Sequence, residues 1–209
     1  MADDNDPPRA RRTGGRSARV RTSVLEATVD VLCESGVDKL SIREIAERAE
    51  VHESSIYRRW GNKANLVVDA LLSRTRLEVP TPDTGSLRED LLTTLRSIAA
   101  VLDSALGENL VRVALRQDTF SDQDRARFWN NRFTRASAIF DRAEERGDLR
   151  SGVDRFLTIE TLIGPLYLRM LLTREPLNEG VLETIVDLVL AGIAVEPPSA
   201  SQPTPRASK

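Results

Sequence analysis

The chain has 209 residues, 40% hydrophobic and 30% charged, with one cysteine, one histidine and a formal net charge of −2. That length suits one ordinary domain or two small ones, and Cys33 and His52 alone furnish neither an intrachain disulfide nor a tetrahedral zinc site. Thirty-two acids against 30 bases argue, taken whole, against nucleic-acid binding.

Prolines fall at 7, 8, 80, 82, 165, 176, 197, 198, 203 and 205, with glycines between them, and no strand alternation is sustained. The pattern predicts an all-α fold of about nine helices cut by short turns. Residues 1–17 are expected to form a disordered basic arm. Six arginines and no acid lie between Arg9 and Arg21. Such an arm can follow DNA phosphates; a solubilising tail balanced by Asp3, Asp4 and Asp6 is the alternative. Arg19 and Arg21 are the better contact candidates, because they adjoin the first helix.

That helix carries an apolar stripe of Val24, Leu25, Thr28, Val31 and Leu32 and ends near Gly36. Ile42, Ile45, Ala46 and Ala49 mark a short second helix, opened by a capping box of Ser41 and Glu44. A third helix is predicted at 53–60 and a fourth at 62–76. Pro80 and Pro82 interrupt, and Ser86 and Glu89 offer a second capping box before Leu87, Leu91, Leu95, Ile98 and Leu102. Helices follow at 108–118 and 121–146, the latter with Trp129, Phe133, Ala136, Phe140 and Ala143 in register. The last two, 153–173 and 177–194, are apolar on nearly every side, so they must be buried on most sides. A subunit interface does this most simply. Glu160, Arg169 and Asp187 interrupt them below the roughly 20 apolar residues of a membrane span, and no secretory signal opens the chain. No membrane role and a cytoplasmic location are expected, with a disordered tail at 196–209.

Helices two and three, joined by Ala49-Glu50-Val51-His52, have a helix-turn-helix layout. With Ile56 inward, Trp60 and Glu53 fall near the same face, while Ser54, Ser55, Tyr57 and Arg58 point outward. Hydroxyls and a guanidinium suit phosphates and base edges. Arg59 lies at the flank. Lys63 opposes the dipole of helix four unless a phosphate compensates.

The run Leu40 to Ala49, then Ile56-Tyr57-Arg58-Arg59-Trp60, then Asn62-Lys63, resembles the DNA-binding domain of TetR-family transcriptional regulators over about 20–75. Gly164-Pro165-Leu166-Tyr167-Leu168-Arg169 is similar to a penultimate-helix motif of one branch. The resemblance implies that Tyr57 and Lys63 bind phosphates, that Ser54, Ser55 and Arg58 read or approach bases, with Ser55 in a phosphate-binding position, and that Arg43 touches the backbone. Glu50 stands where the family usually has a glycine suited to positive φ. His52 and Glu53 replace a cap hydroxyl and a small or basic residue. Glu53 could accept from a cytosine amino group or serve the core edge.

The resemblance further implies a reader at 18–62 and a helical effector-binding and dimerisation domain at 63–195. A homodimer would form through 153–173 and 177–194, with Pro165 bending the first of them. The partners are a palindromic double-stranded operator and a small, mainly apolar effector that releases it; no cofactor or metal is implied. Candidate effector contacts are Leu102, Leu110, Val113, Gln117, Trp129, Phe133, Phe140, Ile163 and Tyr167, most of which core packing alone would also explain. The rival readings are an all-α enzyme, for which no nucleophile and base converge, and a dimerising adaptor without sequence-specific DNA binding. Charge distribution allows local DNA binding, with a modest basic face and no global attraction. Residues 9–63 hold 12 bases against 8 acids, whereas 76–196 hold 15 against 20.

Overall fold

A computed structural model describes residues 14–115 and 120–195; Gln117, most of the expected arm and the 196–209 tail lie outside them. The described elements are α1 (Gly14–Lys39), α2 (Ile42–Arg48), α3 (Glu53–Trp60), α4 (Lys63–Glu78), α5 (Leu87–Leu102), α6 (Ala105–Leu115), α7 (Asp122–Glu145), α8 (Arg155–Leu168) and α9 (Glu179–Ile193). A five-residue π turn, Arg169–Thr173, continues α8. The fold is all-α, as predicted. Its contacts gather into two compact units, one running to Glu78 and resuming over Val101–Trp129, the other comprising Val79–Ala100 and the chain from Asn130. The division therefore does not follow the expected boundary at 62/63: α4, α6 and the start of α7 group with the reader, because α1 packs most extensively on α4 and α6.

In the first unit, the periodic apolar positions converge as their spacing requires. Val24, Val31 and Leu32 of α1 meet Ile45, Ile56, Leu66, Val67 and Leu71 in a core closed to solvent. Thr28, in the same stripe, is tolerated because its hydroxyl donates to the Val24 carbonyl at 2.7 Å. Gly36, at φ 75°, breaks the regular course of α1 where the sequence placed its end. At its other end α1 starts at Gly14, so residues 14–17, expected in the arm, are helical. A tertiary contact extends the helix there: Arg59 donates to the Ser17 hydroxyl at 2.6 Å.

The capping box at α2 does not form. Ser41 has the extended backbone of an N-cap but makes no side-chain cap bond. Glu44 accepts instead from Arg48 at 2.7 Å, and Arg48 also forks onto Glu34 of α1 at 2.8 and 2.7 Å. Charge-assisted bonds outcompete a neutral cap, and Arg48 holds the Glu34 carboxyl below its usual range. The second box is half made. The Glu89 amide reaches the Ser86 hydroxyl only at 3.4 Å, and the Glu89 carboxylate turns to Arg96 at 3.2 Å. At the start of α6, Gly107 is needed for close approach: a Cβ there would lie 2.4 Å from the Val101 carbonyl oxygen.

In the second unit, Leu91, Leu92 and Leu95 of α5, Ile139, Phe140 and Ala143 of α7, Leu162 and Leu166 of α8 and Leu182 and Val186 of α9 are buried. Arg88 pairs with Asp187 and Arg96 with Glu179, fastening α5 to α9. Asp154 and Asn178 cap α8 and α9 by accepting from the amides of Leu157 and Val181. Helix α8 does not continue in α form to 173: Pro165 removes one ladder bond inside it, and π geometry begins at Arg169.

By length and mean hydropathy Arg155–Thr173 passes as a membrane-length segment, which the sequence reading had excluded, and it is only 22% buried. Its α-helical part, however, is 14 residues. With the π turn that continues it, the 19-residue segment rises at most about 28 Å, just under a hydrocarbon core of about 30 Å. The expected burial of α8 and α9 on most sides is not met within one chain: Phe156, Leu157, Leu168, Leu172 and Leu188 remain exposed.

Candidate nucleic-acid interface

Helix α2 ends in a turn whose hydrogen bonds define its shape. The Glu50 amide donates to Glu47 O at 3.2 Å and the Val51 amide to Ala46 O at 2.9 Å, the paired bonds of a Schellman motif. That motif puts Glu50 in the left-handed region, at φ 54°, where a side chain costs roughly 1 kcal/mol. The sequence reading of a glycine position occupied by glutamate is thus reproduced in the backbone. Glu50 is exposed, so no packing opposes its removal. Glu50→Gly is expected to raise the melting temperature by about 2–4 °C, checked by a thermal melt.

The turn delivers α3 with two anchors inward. Ile56 and Trp60 are 1% and 8% exposed, four residues apart on one face. Ser54, Tyr57 and Arg58 are exposed and Ser55 is half-buried, in agreement with the outward set. Tyr57 stands 49% exposed. Glu53 departs from its expected place: as the first residue of α3 it precedes a full turn of covering chain and is exposed. His52, at the N-cap, makes no cap bond and is exposed as well.

The cations around this face are held in different ways. Arg58 and Arg19 are exposed. Arg43 is exposed but paired with Glu47 at 2.9 Å, and that partner raises its pKa. Arg59, already bonded to Ser17, lies 5.8 Å over the Trp60 ring. Arg21 turns towards Asp69, 3.6 Å away. Lys63 donates to the Leu40 carbonyl at 2.9 Å from a half-buried position; an ammonium keeps two further donors for a phosphate. Sequence reasoning missed the contact that starts α4, where Asn62 Oδ1 accepts from the Asn65 amide at 2.8 Å. It also missed Asp69, whose carboxylate accepts from the Trp60 indole at 3.1 Å.

A narrow cleft lies within the first unit, about 330 Å³ with part of that open to solvent. Its walls are Val68 and Leu71 of α4, Leu110 and Val113 of α6, and Phe120, Phe128 and Trp129 at the start of α7, with Asp124 and Arg125 beside them. Phe128 and Trp129 pack edge to face at 5.3 Å. Of the residues proposed from sequence, Leu110, Val113 and Trp129 line it. Leu102 is buried outside the lining, while Phe133, Phe140, Ile163 and Tyr167 belong to the second unit. There Phe133 packs on Phe156 at 5.8 Å, Phe140 is core, and burial raises the Tyr167 phenol pKa against the opposing effect of Arg132. The polar groups at the cleft are engaged locally: Asp124 accepts from the Ser121 hydroxyl, and Arg125 donates to the Phe120 carbonyl and bonds Asp122. Cys33 is half-buried, and burial raises its thiol pKa, which favours the unreactive form.

Two family models match the chain: bacterial regulatory proteins of the tetR family over residues 24–70, and the tetracyclin repressor-like C-terminal domain over 81–189. The HTH-type transcriptional regulator AqdR of Rhodococcus erythropolis is 35% identical, covering 85% of this chain and 86% of its own. The DNA-binding transcriptional repressor TetR of Mycobacteroides abscessus is 33% identical, covering 80% and 90%. Among solved structures, that of the TetR family transcription regulator SCO0332 superposes with a TM-score of 0.74 at 27% identity, covering 86% of this chain and all of that one.

Proposed function

The chain belongs to the TetR family of transcriptional regulators, and from that membership we propose that it is a homodimeric, effector-released repressor of a palindromic operator. It is a regulator and not an enzyme, as its relatives are named. The observation that carries the reading is the outer face of α3. Ser54, Tyr57 and Arg58 stand exposed on a helix whose other side is fixed by Ile56 and Trp60. Base and phosphate contacts come from that face, with Ser55, His52, Arg43, Arg59 and Lys63 at its margins and Arg19 and Arg21 on α1 beside them. Work on DNA places the protein in the cytoplasm.

Dimerisation uses the exposed stripes of α8 and α9. Leu157, Thr161, Gly164 and Leu168 follow helical spacing on α8, as do Thr184, Leu188 and Ala191 on α9, and all seven are exposed. Each stripe mixes large and small residues, which lets facing helices interdigitate. A Cβ at Gly164 would meet nothing within 4 Å, so a partner helix has room to approach there. The two helices from each subunit make an isologous four-helix seam.

The effector enters the cleft between α4, α6 and α7. Its lining of aliphatic and aromatic side chains, with the neighbouring charges already engaged, fits a small and mainly apolar molecule. The cleft is narrow, so occupancy pushes α4 aside, and this changes the spacing of the two readers. Half-sites one turn of DNA apart tolerate little such change.

Fluorescence anisotropy with DNA from upstream of the protein's own gene tests the reading. Nanomolar-range binding that weakens steeply with salt is expected. Tyr57→Ala is expected to reduce affinity by about 10- to 100-fold at unchanged melting temperature. Equal affinity of the variant, or no selective binding at low salt, would refute it.

A further inference from the structure

Two polar side chains of α4, Asn65 and Asp69, stand one turn apart on the same face and grip the last residue of α3 from both sides. Asn65 Nδ2 donates to the Trp60 carbonyl at 3.0 Å, and the Trp60 indole donates to Asp69 Oδ2 at 3.1 Å. Trp60 is therefore held by backbone and side chain together. The same two residues are bonded to one side chain of α7: Arg127 pairs with Asp69 Oδ1 and reaches Asn65 Oδ1 at 3.4 Å. Arg21 of α1 approaches the other carboxylate oxygen at 3.6 Å. Asp69 thus joins α1, α3, α4 and α7, all within the first unit.

Arg127 also has a telling position along α7. Its neighbours Arg125, Phe128 and Trp129 line the cleft, and the α4 wall is formed by Val68 and Leu71, one position before and two after Asp69. The helices that Arg127 and Asp69 tie together are therefore those a molecule in the cleft must separate. Separating them would strain this pair, which joins α4 to α7 beside the cleft without lining it. The carboxylate that yields is the one that orients the Trp60 indole.

We propose that Asp69 and Arg127 are positioning residues for the recognition helix: Asp69 fixes the end of α3 through Trp60, and Arg127 makes that grip depend on whether the cleft is closed. The proposal rests on the reading of the cleft as the effector site, but its geometry is independent of DNA. Arg127 and Asp69 are partly exposed, at 45% and 20% of their side chains, so as a plain surface ion pair they would contribute about 0–1 kcal/mol and nothing specific to α3.

The chain's two tryptophans report on the two ends of the connection, Trp129 in the cleft and Trp60 in the grip. Indole ¹⁵N–¹H spectra of the full chain without DNA follow both. In Arg127→Gln, the Trp60 indole resonance should move and its hydrogen exchange quicken roughly tenfold, with Trp129 little changed; Arg127→Lys should restore most of the protection. Overpacking the cleft with Val113→Ile, or the larger Val113→Phe, stands in for a bound molecule. It should shift both indoles in the parent chain and only Trp129 in the Arg127→Gln background. The proposal is overturned if Trp60 is indifferent to Arg127→Gln, if the overpacked variants move Trp129 alone in the parent, or if they move Trp60 equally with and without Arg127. None of these readouts needs an operator, so failure of DNA binding and failure of this connection are separate results.

Discussion

Trp60→Ala is expected to lose about 3–5 kcal/mol of stability and operator binding with it. The ring is 8% exposed beneath the first unit's core, and its removal leaves both a cavity and an Asp69 carboxylate deprived of an indole donor. Ile56 alone would then anchor an eight-residue helix, which is too short to persist by its own hydrogen bonds. The contrast with Tyr57→Ala gives the prediction its force. Tyr57 is three positions earlier in the chain but 49% exposed, so its truncation should change stability by no more than about 0.5 kcal/mol while still weakening DNA binding. Denaturant unfolding beside anisotropy separates the two. A Trp60→Ala chain within about 1 kcal/mol of the parent would contradict the assigned anchor.

Leu188→Glu has the second large expected effect. Leu188 is 70% exposed in the single chain and lies centrally in the α9 stripe. In an isologous seam one substitution places two carboxylates near the twofold axis, each taken from water without a partner at a cost of several kcal/mol. Sedimentation should show the species falling from twice 23.2 kDa to 23.2 kDa at micromolar concentration. Because the operator is held by two linked readers, affinity should drop by about 10²- to 10⁴-fold. Leu168→Glu on α8 should behave alike. A Leu188→Glu chain that remains dimeric would remove α9 from the interface.

The reader was legible in the sequence because its determinants are local. The 3.6-residue period fixed which side of α3 is buried, and both ends of that helix fell where predicted. A glutamate in a glycine position announced the positive φ at Glu50. What escaped depended on partners distant in the chain. Ser41 and Glu44 satisfy a capping pattern, yet Glu34, on another helix, draws in Arg48 and through it Glu44. Trp129, Phe133 and Phe140 share one apolar stripe, and only the packing of α7 assigns the first to the cleft unit and the others to the second. Asn65, Asp69 and Arg127 look like solvated helix positions in one dimension. Their sole local signal is the four-residue spacing of Asn65 and Asp69 in the otherwise apolar stretch 64–72 of α4.

The net charge illustrates the same point. An overall −2 hides a basic stretch at residues 9–63, with 12 bases against 8 acids, and within it the structure distinguishes bases already paired, such as Arg43 and Arg48, from the exposed Arg19 and Arg58. On the proposed reading, affinity for DNA depends on a small surface and on pairing two copies of it, not on a field covering the whole molecule.

The most direct measurement is selection of fragments from the encoding genome by the purified full chain at physiological salt, with the mass of each complex determined. The account predicts a few enriched fragments sharing an inverted repeat, its half-sites about one helical turn apart, each binding chains in multiples of two and each lost with Tyr57→Ala. Retention of fragments without a shared sequence, or a single chain on each site, would contradict it.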